Sequence, residues 1–152
     1  MEIRKGGLGH PAVVALLQLH LAGMQEQSPP ESVHALDLAG LAARDISFWA
    51  AWEGEELLGV GALRKLDARH GEIKSMRTAP GHLRKGVGAR LLDHIMTAAR
   101  ARGMTRISLE TGTTPDFEPA LALYRSFGFT DCGAFADYPA DDPFSRFMSR
   151  AL

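Results

Sequence analysis

Leu83-Arg84-Lys85-Gly86-Val87-Gly88-Ala89 is the stretch on which the fold turns. It follows a run from Glu72 to Ala79 that reads as a strand, and it opens a run from Val87 to Arg102 that reads as a helix. Two glycines at this spacing let backbone N–H groups approach a ligand with no Cβ in the way. The helix behind them adds unpaired N–H groups and the positive end of its dipole. Arg84, Lys85 and Arg90 add full positive charge, so the stretch reads as an anion site for which a pyrophosphate is the natural occupant. It is neither a Walker loop, lacking Gly-x-x-x-x-Gly-Lys-Ser/Thr, nor a dinucleotide Gly-x-Gly-x-x-Gly, since Leu91 holds the place of the third glycine.

Outward from that loop the chain divides into short elements. Upstream, Met1 to Lys5 suits an edge strand, and Val13, Leu16, Leu17, His20, Leu21 and Met24 recur at helical spacing after Pro11. Glu31 to Arg44 reads as a second short helix, and Ile46 to Trp52, Leu57 to Leu66 and Glu72 to Ala79 as a three-stranded meander. Downstream, Met104 to Glu110 is a strand that closes a βαβ unit and should run parallel to Glu72–Ala79. A helix capped by Asp116, with Pro119 in its first turn, should end at Gly128. Phe129 to Ala136 and Phe147 to Leu152 read as a final strand pair around a turn-rich loop from Tyr138 to Ser145.

Composition bounds the function. The 152 residues suit one domain, 1–152, with 45% hydrophobic and 23% charged residues. A net charge of -1 offers no global field for nucleic acid, so any anion site must be local. Cys132 is the only cysteine, which excludes an internal disulfide and a multi-cysteine zinc site; no metal is expected. No apolar run approaches a membrane span and the N-terminus lacks a signal-peptide pattern, so a cytoplasmic protein with no membrane partner is expected. An edge strand at either end offers a homodimer contact.

The order β-α-α-β-β-β-α-β-α-β-β resembles the GNAT N-acetyltransferase family. So do two local signatures: Glu72 to Pro80 followed by Arg84-Lys85-Gly86-Val87-Gly88, and Tyr124-Arg125-Ser126-Phe127-Gly128-Phe129. The resemblance covers nearly the whole chain. It departs at Leu83, where the family's phosphate motif usually begins with Gln or Arg, and at Phe117, where the family often has Asn. The resemblance implies an α/β (α+β) domain whose central sheet is mixed, mostly antiparallel and splayed at one parallel pair, with helices on both faces.

It also implies acetyl transfer from acetyl-CoA, as co-substrate, to a primary amine of a small molecule or peptide. The backbone of Arg84, Lys85, Gly86, Val87, Gly88 and Ala89 would hold the pyrophosphate. The strand edge at Met76, Arg77 and Thr78 would pair with the pantetheine amides, with the Met76 N–H near the thioester oxygen. Tyr124 would protonate the leaving sulfur. Glu72, at the start of that strand, is the first candidate for the base, and Glu110, at the end of the next strand, is its competitor. Glu31, Ser32 and His34, between the first two helices, would wall the acceptor site. Of the other histidines, His20 reads as half-buried on its helix stripe, and His82 and His94 have no evident partner. A different class stays open: a catalytically silent CoA-binding sensor or interaction module. A nucleotide-binding or phosphoryl-transfer protein is disfavoured, since the chain lacks a Walker lysine and an obvious carboxylate pair for Mg²⁺.

Overall fold

The computed structural model describes residues 1–33 and 36–152. Seven strands form one sheet: β1 (Glu2–Lys5), β2 (Ile46–Glu53), β3 (Glu56–Lys65), β4 (His70–Thr78), β5 (Arg106–Gly112), β6 (Thr130–Asp131) and β7 (Ser145–Ala151). Their spatial order is β1-β2-β3-β4-β5-β7-β6, antiparallel throughout except for the parallel pair β4–β5. The helices are α1 (Pro11–Gln27), α2 (Leu38–Leu41), α3 (Val87–Ala101) and α4 (Glu118–Ser126).

Alternation along the strands splits the core in two. On β2, Phe48, Ala50 and Trp52 face a core shared with Val13, Leu16 and Leu17 of α1 and Leu41 of α2. Trp49 and Ala51 face the opposite core, shared with α3 and α4. The stripe Val87, Leu91, Leu92, Ile95, Met96 and Ala99 is buried against the sheet, and each large member stabilises the packing by about 1.5–3 kcal/mol. The expected mixed sheet with helices on both faces is therefore what forms.

Several boundaries depart from the sequence expectation. The helix expected from Glu31 to Arg44 is replaced by a 3-10 turn, Pro30–Ser32, and the single-turn α2, capped by the Asp37 carboxylate accepting from the Gly40 N–H at 2.8 Å. Gly40 weakens a longer helix. Asp116 does not cap α4: it lies inside a 3-10 turn, Pro115–Phe117, and Phe117 takes the N-cap place without a side-chain bond. Of the strand expected from Phe129 to Ala136 only Thr130–Asp131 pairs. Phe135 instead stacks edge-on against Phe147 and Tyr138, so its apolar surface is buried by ring packing rather than by a ladder. His94 is not isolated, since its ring lies edge-on to Trp49 at 5.7 Å.

The feature that shapes the functional region lies in β4. Its register with β3 jumps from Val60↔Arg77 to Ala62↔Lys74, so Ser75 and Met76 together oppose Gly61. This is a β-bulge, and Ser75 adopts φ +55° to make it. The parallel ladder between β4 and β5 runs from His70↔Arg106 to Ile73↔Leu109 and stops there, just before the bulge. Beyond that point β5 remains paired only to β7, through Glu110↔Phe147, Thr111↔Arg146 and Gly112↔Ser145. The two strands thus open a wedge, and residues 74–78 present one free backbone edge.

The bulged half of β4 is held down by close approach. A Cβ built at Gly59 would lie 2.9 Å from the Arg77 carbonyl oxygen and 2.9 Å from Val87 Cγ1. Gly59→Ala should therefore push β4 and the start of α3 off β3 and cost about 1–3 kcal/mol. Urea denaturation should show a lower midpoint at unchanged slope; an unchanged midpoint would mean that this contact yields freely.

Candidate active site

The glycine loop joins β4 to α3. A 3-10 turn, Pro80–His82, leads to Arg84 at φ +63° and Gly86 at φ +79°, and Gly86 caps α3. Such left-handed geometry suits glycine. A glycine cap brings no side chain to the leading N–H groups of α3, which together with Arg84, Lys85 and Arg90 make an anion cradle. Leu83 is exposed. Lys85 Nζ lies 3.1 Å from His82 Nδ1, and His82 Nε2 lies 2.8 Å from Glu56 Oε1, so His82 does have partners.

From this cradle the free edge of β4 leads into a cleft at the wedge. Its sides come from β4 (Glu72, Lys74, Ser75, Met76), β5 (Glu110, Thr111, Gly112), α4 with its leading turn (Phe117, Ala120, Tyr124) and α1 (His20, Met24). Ser28, Ser32 and Val33, after α1, and Tyr138 and Phe144, from the β6–β7 connection, complete the lining. Glu72, Glu110, Tyr124, Met76 and Ser32 are thus brought together. Glu31 is exposed and does not line the cleft, and His34 lies outside the described residues.

Glu72 is not at an open rim, as its place near the β3–β4 turn suggests; it is 1% exposed. Its Oε2 accepts a short hydrogen bond from the Tyr138 hydroxyl and lies 3.4 Å from Lys74 Nζ. Lys74 Nζ in turn donates to the Tyr138 hydroxyl oxygen at 2.8 Å. Burial and the Glu72 charge hold Tyr138 firmly in its protonated form. Glu72 Oε1 has no hydrogen-bond partner among the described residues.

Glu110 is the carboxyl with a displaced titration. Burial pushes it up to about 7, against the pull of Ser145 and the Lys74 ammonium beside it, while the Glu72 and Asp142 carboxylates push it further. Burial and the nearby Glu110 charge push the Tyr124 phenol up to about 12. His20 is 5% exposed, not half-buried. Burial, aided by the Arg77 cation, lowers it to about 4.

Chemically, the site combines an anion cradle, a free strand edge, a phenol that keeps its proton, a carboxyl that titrates near neutrality and a second, clamped carboxylate. Sequence reasoning missed Tyr138, Lys74, Ser75 and the depth at which His20 is buried. Tyr138 sits in a loop with no periodicity. Glu72 and Lys74 are two apart on a strand, and so share a face, which is a legible signal only once that face is known to be covered.

The model of the Acetyltransferase (GNAT) family matches residues 13–129. The chain is 55% identical over 152 residues to uncharacterized N-acetyltransferase YsnE of Bacillus subtilis, covering 100% of both chains. It is 53% identical over 150 residues to uncharacterized N-acetyltransferase YedL of Escherichia coli, covering 99% of this chain and 94% of that one. Among solved structures, a GNAT family acetyltransferase from Elizabethkingia anophelis with acetyl-CoA bound superposes with a TM-score of 0.72 at 20% identity, over 99% of this chain and 97% of that one, a likeness of fold.

The depressed titration of His20 is directly testable. Its ring should stay neutral from pH 8 down to about 5 in an NMR titration, and Arg77→Met should raise its midpoint by removing the cation. Because the folded chain binds fewer protons here than the unfolded one, the associated stability is present above about 6.5 and lost as pH falls toward 4. A midpoint near 6.5 would mean that water reaches the ring.

Proposed function

The chain belongs to the GNAT acetyltransferase family and is an acetyl-CoA-dependent acyltransferase, and we propose that it acetylates the primary amine of a small molecule or peptide. The observation that carries this reading is the end of the β4–β5 ladder at Ile73↔Leu109, which leaves a free strand edge running from the glycine loop to Tyr124 and two carboxyls.

The residues present fit acetyl-CoA. The N–H groups of residues 84–89 suit its pyrophosphate, and the edge at Met76, Arg77 and Thr78 suits its amide-bearing arm. Bound there, acetyl-CoA supplies an activated acyl carbon on a thioester. An ammonium ion has no lone pair, so a base must first remove a proton. Glu110 suits that role better than Glu72, because its titration near 7 leaves it partly ionised at neutral pH yet basic enough to accept the proton. Glu72, held by Lys74 and Tyr138, suits the role of a fixed negative charge facing the amine. As the amine nitrogen bonds to the acyl carbon and the carbon–sulfur bond breaks, Tyr124 would donate its hydroxyl proton to the sulfur, and the second proton that the nitrogen sheds would restore the phenol. A phenol titrating at about 12 keeps that proton until the thiolate forms.

Thiol release from acetyl-CoA in the presence of a panel of primary amines tests the activity. CoA binding without release by any amine would favour the alternative of a binding module. For the base, kcat/KM should rise with pH through about 7 in the wild type, because Glu110 works only when ionised. Glu110→Gln should abolish that limb and recover activity only at high pH, where the amine is already neutral. Glu72→Gln should act mainly on amine KM. The opposite ranking would return the base to Glu72. Tyr124→Phe preserves packing and should lower kcat by about 10²-fold with little change in acetyl-CoA affinity; full kcat would make Tyr124 a core residue only.

A further inference from the structure

Three buried polar atoms in the cleft have no hydrogen-bond partner among the described residues: His20 Nδ1, Glu72 Oε1 and Ser75 Oγ. Their residues are 5%, 1% and 9% exposed. Polar groups this deeply buried are nearly always paired, and leaving one unpaired costs roughly 1–3 kcal/mol. Two further orphans, Ser145 Oγ and Arg146 Nε, lie on β7; the three named here belong to residues lining one cleft and come from separate features: α1, the regular part of β4 and the β4 bulge.

All three can accept a hydrogen bond. A carboxylate oxygen only accepts, and a serine hydroxyl has two lone pairs. A neutral imidazole with its proton on Nε2 accepts at Nδ1. His20 remains neutral well below pH 7, so it keeps that lone pair and adds no charge that would repel a cation. Two cations lie near: Lys74, engaged with Glu72 and Tyr138, and Arg77, whose charge reaches His20. What the cleft lacks is a donor-rich group, and a primary ammonium carries three N–H donors and no acceptor.

We propose that His20 Nδ1, Glu72 Oε1 and Ser75 Oγ together form the receptor for the acceptor's ammonium group, one lone pair for each N–H. This inference rests on the reading of the chain as an amine acetyltransferase and deepens it: the site selects unsubstituted primary amines over N-alkylated ones. A secondary amine brings only two N–H donors and would leave one of the three acceptors unpaired. Deprotonation by Glu110 then breaks one of these three hydrogen bonds, and the other two keep the neutral amine in register. The clamp on Glu72 Oε2 by Tyr138 and Lys74 orients the carboxylate so that Oε1 is the oxygen left for the substrate. The bulge matters for the same reason, since the left-handed turn at Ser75 gives that hydroxyl a place in the cleft that regular alternation would not.

The test uses two independent readouts. In thiol-release kinetics, each turned-over primary amine is compared with its N-methyl counterpart. The wild type should favour the primary amine by at least tenfold in kcat/KM. His20→Leu and Ser75→Ala should each raise amine KM about tenfold and shrink that preference, while acetyl-CoA affinity, measured by calorimetry, stays put. His20→Gln, which keeps an acceptor oxygen, should recover part of the loss. Unchanged amine KM and an unchanged primary-to-secondary ratio in both His20→Leu and Ser75→Ala would overturn the proposal. In the second readout, benzylammonium chloride is titrated into the CoA-loaded wild type and the His20 ring nitrogens are followed by NMR. A saturable shift that tetramethylammonium does not produce is expected; no shift, or equal shifts from both salts, would also overturn it. If no amine releases thiol, the acetyl-transfer reading fails, and the NMR titration still decides whether the cleft receives an ammonium.

Discussion

Everything at the functional end of this protein depends on the interruption of one parallel strand pair. A continuous β4–β5 ladder would saturate the backbone groups of residues 74–78 and leave no edge for a ligand. The ladder ends at Ile73↔Leu109, and the bulge at Ser75–Met76 turns the rest of β4 away while β3 keeps hold of its other edge. Exposed edges invite unwanted pairing. This one borders a cleft lined by residues of α1, β5 and α4, where a neighbouring strand has no room to add.

The wedge also decides the electrostatics. Glu72, Lys74 and Glu110 lie on the sheet face away from α3, where no long helix covers β5 and β7. The β6–β7 connection covers it instead, with Phe135, Tyr138 and Phe147 packed ring against ring. That cover removes water and strengthens each charge interaction, and it gives the two carboxyls different neighbours. Glu72 receives two donors on one oxygen, while Glu110 is left to burial and neighbouring negative charge, and its titration rises to about 7. On the same strands a serine–histidine chain runs from His70 Nε2 to Ser108 Oγ at 2.7 Å and from Ser108 Oγ to Ser149 Oγ at 2.9 Å.

The two halves of the site differ in how they are built. The anion cradle is backbone, carried by a local turn at Arg84 and Gly86 and by the start of α3. The cleft beyond it is side chain, assembled from α1, β4, β5, α4 and a loop some sixty residues beyond β4 along the chain. Backbone cradles tolerate changes of side chain, whereas an assembled cleft changes character with each residue. Such a division lets one fold keep its cofactor while its acceptor varies.

The same division explains what could be read in advance. The order of elements, the βαβ unit, the glycine cradle and the stripe of α3 are local patterns, and spacing along the chain determined them. Glu72, Glu110, Tyr124, Met76 and Ser32 could be nominated as cleft residues because motif positions tied them to elements of known direction. The second helix, the cap at Asp116 and the strand through Ala136 could not be read correctly, because Gly40, the 3-10 turn at Pro115–Phe117 and the ring packing of Phe135 outweighed local propensity. Only the tertiary structure decided that Glu110 titrates near neutrality, that His20 is buried and neutral, and that Tyr138 clamps Glu72. Those properties come from burial and from neighbours distant in sequence, and a one-dimensional pattern carries neither.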